Sequence, residues 1–98
     1  MGMRVMFKAK KVDQKIADLG FIKVHEDKYG VEYERQNDGY TQRVDIVHKA
    51  SGNHILQSYD PALYAKENGN TIGNGVVGLT CTELLVFGKK MKQLGLNS

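Results

Sequence analysis

Apolar residues recur along this chain with two different periods, and the changes of period mark its elements. Ala9, Val12, Ile16 and Leu19 fall at helical intervals, Lys and Asp take the other side, and Gly20 stands where a helix C-cap belongs. This predicts a short amphipathic helix over residues 8–19. From Phe21 onward the pattern alternates, as in half-buried strands. The alternation predicts strands over 21–26, 31–36, 40–49 and 54–59, separated by turns at 27–30, 37–39 and 51–53. The second turn contains Asp38-Gly39, a pair favoured in two-residue hairpins. Asp60-Pro61 ends the fourth strand, because proline cannot donate to a ladder.

Residues 62–68 carry at most one helical turn, and 69–78 read as a glycine-rich loop. Thr80-x-x-Glu83 then has the form of a capping box. Leu84, Phe87, Gly88, Met91 and Leu94 follow at helical spacing. Lys89, Lys90 and Lys92 suit the C-terminal end of the helix dipole, and Gly95 closes the segment. The expected fold is one α+β domain over residues 1–98, ordered α-β-β-β-β-α. It is a two-layer structure, a four-stranded antiparallel meander with the helices packed on one face.

The turns also predict which side chains share a face. An Asp38-Gly39 turn pairs Tyr33 with Val44 and Val31 with Ile46. A four-residue turn at 27–30 pairs Val24 with Tyr33 and Ile22 with Arg35. A short turn around Gly52 adds Ile55 and Tyr59. The expected buried face is therefore Ile22, Val24, Val31, Tyr33, Val44, Ile46, Ile55 and Tyr59. The opposite face carries Lys23, His25, Glu32, Glu34, Arg43, Asp45 and Val47, with His54 and Leu56 beside them. On this register Lys23, Glu34 and Arg43 form one cross-strand row, and His25, Glu32 and Asp45 a second.

Composition narrows the picture only in part. The 98 residues are 41% hydrophobic and 26% charged, and a chain of this size supports a core without a metal or disulfide staple. Fourteen Lys and Arg against eleven Asp and Glu give +3, too small an excess to name a partner. One cysteine, Cys81, forms no internal disulfide and no Cys-based zinc site, and is expected to be a buried, inert thiol. No apolar run has the length of a membrane helix, and the first residues lack a secretory signal. Met6 stands where a myristoylation motif needs Ser or Thr, which sets Gly2 aside as a lipid site. The expectation is a cytoplasmic protein with no membrane contact.

Candidate chemistry is sparse. His25, Glu32 and Asp45 come nearest to a metal or acid–base cluster, but exposed strand carboxylates seldom acquire the shifted pKa that catalysis needs. His48 and His54 flank the third turn and are expected to face opposite ways. Residues 73–78 match the GxGxxG string, yet the fingerprint requires a parallel βαβ unit and here follows an antiparallel meander. No nucleophile elbow, P-loop or HExxH motif is present. The expectation is no enzyme, no cofactor and no metal. Lys8, Lys11 and Lys15 fall on one stripe of the first helix, which suits phosphate contact and offers nucleic acid as the alternative partner. The two edge strands leave a homodimer through the less guarded fourth strand as a further expectation.

Leu19-Gly20-Phe21, Glu26-Asp27 and Val31-Glu32-Tyr33-Glu34 resemble segments of small accessory proteins from Gram-positive phages and prophages. So do Gly39-Tyr40-Thr41, Val44-Asp45-Ile46 and Gly78-Leu79-Thr80 with Glu83. The resemblance implies an intracellular protein that acts by binding, and it carries over no functional residue. The expected activity is therefore binding of an unidentified protein through the polar sheet face.

Overall fold

The structure is a computed structural model that describes residues 11–49, 51, 54–66 and 75–95, with backbone only for 64–66. Its elements are α1 (Val12–Asp18), β1 (Ile22–Asp27), β2 (Gly30–Asn37), β3 (Tyr40–Val47), β4 (Ile55–Tyr59), α2 (Pro61–Lys66) and α3 (Cys81–Gln93). The four strands form one antiparallel sheet in the order β1-β2-β3-β4, so the α+β meander holds. The expected start of the first helix at residue 8 lies outside the described residues. Residues 62–66 of the expected 62–68 turn belong to the short helix α2, with Pro61 as its first residue, and 67–68 lie outside the described residues. Asp60 Oδ1 caps it, accepting from the amides of Ala62 and Leu63 at 2.9 and 3.3 Å.

The core lies between one face of the sheet and the helices α1 and α3. Ile16, Phe21, Val31, Tyr33, Val44, Ile46, Val86 and Phe87 make it, all nearly solvent-free. Phe21 and Tyr33 both meet the Phe87 ring edge-on, with centroids 5.2 and 5.5 Å away. The β2–β3 hairpin has the expected register, Tyr33 opposite Val44 and Val31 opposite Ile46. Gly39 holds a φ of +88° in its turn.

Both edge strands depart from the expected register. In β1, Glu26 faces Val31 and His25 faces Glu32, but a bulge at Val24 then brings Lys23 opposite Tyr33 and Ile22 opposite Glu34. One extra residue reverses the parity of everything N-terminal to it. Phe21 therefore enters the core, while Ile22 and Val24 remain exposed. In β4, Val47 pairs with Ile55 and Ile46 with Leu56, a one-residue difference from the expected pairing. Leu56 packs against the core, and Ile55 and Tyr59 belong to the other face.

The α3 stripe is also rotated from the expected one. Glu83, Val86, Phe87 and Lys90 are its buried residues, whereas Leu84 and Leu85 are exposed. The buried Lys90 ammonium donates to Asp13 Oδ1 at 2.8 Å, which joins α3 to α1. Thr80 and Glu83 form the capping box the sequence predicts, with bonds of 3.1 and 2.9 Å. Cys81, expected to be buried, is exposed at the first position of α3.

Candidate functional site

Neither α1 nor α3 stands on the second face of the sheet, since both pack on the face of Val31, Tyr33, Val44 and Ile46. Strand pairing places His25, Glu32 and Asp45 in one row across β1, β2 and β3, as expected. Glu34 and Arg43 form the neighbouring row, and their side chains make an ion pair. Hydrogen bonding to Glu34 raises the Arg43 guanidinium pKa above its ordinary range. Lys23 is the exception. The bulge at Val24 moves it out of this face and opposite Tyr33, where its ammonium donates to Glu26 Oε1 at 2.6 Å.

Tyr59, expected in the core, takes part in this face instead. Its hydroxyl donates to Asp45 Oδ2 at 2.7 Å. Burial, and then the neighbouring Asp45 carboxylate, push the phenol up to about 12. Asp45 is only 9% exposed, and burial raises its carboxyl above the usual range against the pull of the Tyr59 hydroxyl. Its second oxygen, Oδ1, is buried and has no hydrogen-bond partner among the described residues. Glu32 stands directly across from it on β2, so two acids are adjacent in the sheet.

The 27–30 turn closes one end of the face. Asp27 Oδ1 accepts the Tyr29 amide at 2.8 Å and Oδ2 accepts from His25 Nε2 at 2.9 Å. The pair shifts both groups: the hydrogen bond to Asp27 raises His25, and the bond from His25 lowers Asp27. Gly30 is required at the end of this turn. Its φ is +155°, and a Cβ there would meet the Ile46 carbonyl oxygen at 2.2 Å. Beside it is a shallow pocket of about 200 Å³, lined by residues 27, 29–32 and 45–47, which include Val31, Ile46 and Val47 as well as Asp27, Glu32 and Asp45.

Comparison with protein-family models, with curated proteins and with solved structures finds no match to this chain.

The other candidate groups resolve less fully. Lys8 of the lysine stripe lies outside the described residues. Lys11 is exposed, and Lys15 is half-buried beside Lys89 of α3, whose ammonium depresses the Lys15 pKa. His48 and His54 do not face apart: their rings meet edge-on with centroids 5.8 Å apart. Among the described residues, no three His, Cys, Asp or Glu side chains are placed to hold a metal ion. No helix among them is long and apolar enough to cross a membrane. The GxGxxG segment begins outside the described residues. Its later part makes an antiparallel bridge, Val76 with Tyr59, and not a parallel βαβ unit. That segment also guards β4, since Asp60 N–H donates to Gly75 O and Val77 N–H to Ser58 O.

Sequence reasoning missed Tyr29, Asp27 and Tyr59 as members of the face. Gly30 after Asp27-Lys28-Tyr29 signalled the turn but not the pocket. Nothing in the alternation of residues 54–59 signalled the parity of Tyr59.

Proposed function

We propose that this chain is a non-enzymatic interaction protein that binds a protein partner through the polar face of its sheet. The observation that supports this reading is the pre-ordered surface built on Glu34, Arg43, Asp45 and Tyr59. There one ion pair and one tyrosine–carboxylate bond hold four side chains of adjacent strands. Side chains held this way lose little freedom on binding, which favours association. Exposed Ile22 and Tyr29 supply apolar area at the margin of the same surface. The likeness to phage accessory proteins is consistent with a small binding protein acting inside a cell.

Capture from a cell lysate tests the reading. The wild-type protein is compared with the double exchange Glu34→Arg, Arg43→Glu, which keeps an ion pair and inverts the charge pattern. Prey held by the wild type and released by the exchange supports the proposal; prey held equally by both defeats it. The lysine ridge carries a second reading, nucleic-acid binding, because the packing of α1 on α3 sets Lys89 beside Lys15. Under that reading the prey disappear with nuclease, and binding weakens steeply with salt.

A further inference from the structure

We infer that His48 and His54 form an acid-released latch, which joins the 27–30 turn to both ends of the β3–β4 connection. The inference concerns the free chain and stands or falls apart from the sheet-face reading above. The backbone partners of the two rings fix where their hydrogens lie. The Lys28 carbonyl can only accept, so His48 Nδ1, 3.2 Å away, carries a hydrogen and donates it. The Lys49 amide can only donate, so His54 Nδ1, 3.3 Å away, is bare and accepts. An imidazolium has no bare ring nitrogen, and the Lys49 bond therefore exists only while His54 is neutral. His48 Nε2 is buried and has no hydrogen-bond partner, a place where a charged N–H is costly.

These contacts act on one another. The His48 amide donates to the Tyr29 carbonyl at 2.9 Å, so residue 48 holds the 27–30 turn by its backbone and by its ring. The His54 ring meets the His48 ring edge-on, with centroids 5.8 Å apart, and takes the next amide along the chain. A proton on His54 turns its acceptor into a donor that faces the Lys49 N–H. A second proton, on His48, sets two like charges side by side. The charged groups around the latch do not compensate. Lys28 and Lys49, whose backbones make the two ring bonds, are themselves cations. Asp27 of the same turn is engaged by His25 and by the Tyr29 amide. Val47 and Ile55, which flank the pair in β3 and β4, are paired with each other and uncharged. The latch is thus closed above the histidine range and opens as pH falls through it, about pH 6–7.

NMR on the full chain tests the inference. Long-range proton–nitrogen spectra of the rings at about pH 8 are expected to show the hydrogen of His48 on Nδ1 and that of His54 on Nε2. On acidification to about pH 5, the nuclear Overhauser contact between the two rings should be lost, while the amides of Val31, Tyr33, Val44 and Ile46 hold their shifts. The amides of His48 and Lys49 should move together through that range. His54→Gln is expected to abolish their common transition, and His25→Gln, which removes the third histidine, to leave it in place. A His48 hydrogen on Nε2 at the higher pH, a ring contact that survives at the lower one, or the same amide transition in His54→Gln overturns the inference. Each of these readouts is made without a partner, so none of them bears on the capture experiment.

Discussion

Arg35 and Arg43 stand on adjacent strands of one sheet, on opposite faces, and each meets a glutamate. Arg35 points into the layer between sheet and helices. Its guanidinium bonds Glu83 of α3 at 2.8 Å, the Leu19 carbonyl at 3.0 Å and Gln42 Oε1 at 2.8 Å, and it lies 4.2 Å from the Phe21 ring centroid. Gln42, fully buried, passes the chain of bonds to Ser58 Oγ at 2.8 Å. One side chain thus ties the end of α1, three strands and the start of α3. Arg43 meets Glu34 on the adjacent strand, and both stay partly open to solvent. The difference lies in the degree of desolvation: Glu83 is nearly buried and depends on its partners, while both members of the outer pair keep more of their water.

The largest expected effect breaks the inner pair. Arg35→Met leaves Glu83 buried and without its cation, and is expected to cost about 2–4 kcal/mol in chemical denaturation. Arg43→Met should cost under about 1 kcal/mol in the same measurement. Equal losses would erase the distinction between the faces. Gly30→Ala comes next. It sharpens the comparison, because it shows where the outer face has no tolerance. Strain at φ +155° and the clash with Ile46 O should cost on the order of 2–3 kcal/mol. A near-neutral Tm change would mean that the backbones of β2 and β3 yield at this close approach.

The smallest effect concerns acid. Burial alone would raise the Glu83 carboxyl, but the Thr80 amide and then Arg35 hold it below its ordinary value. A lowered folded pKa means stability that is present above the unfolded value and is lost as pH falls through the folded one. Asp45 has the opposite sign. Its raised folded pKa means that ionisation opposes folding, an effect absent below the unfolded value and complete above the folded one. Melting curves between roughly pH 3 and 7 should therefore show a shallower acid loss for Glu83→Gln than for wild type. Asp45→Asn should melt higher than wild type at neutral pH, and the gap should close on acidification. A variant that melts lower at neutral pH would mean that the Asp45 carboxylate is stabilised in the fold.

Legibility in the sequence followed the strength of local signals. The Asp38-Gly39 turn admits one hairpin geometry, so the four central core residues Val31, Tyr33, Val44 and Ile46 were readable. So were five of the six face residues: His25, Glu32, Glu34, Arg43 and Asp45 share the open side, and only Lys23 leaves it. The misplacements of Ile22, Val24, Ile55 and Tyr59 arise at the two edges. There a bulge and a seven-residue connection, 48–54, each shift parity by one residue. Neither shift costs enough locally to mark the alternation.

Read alone, the sequence determines the α+β meander, the capped last helix and the polarity of one sheet face, because each follows from signals within a few residues. The tertiary structure alone decides which residues of β1 and β4 face the core. Phe21 fills the space against Phe87 and Arg35 that Ile22 would leave, and Leu56 closes the other side. Packing in a filled interior penalises voids and unpaired charge more than it penalises one extra residue in an edge strand. That balance also brings Tyr59 to Asp45 and leaves Asp45 Oδ1 buried without a donor among the described residues, a juxtaposition no local pattern encodes.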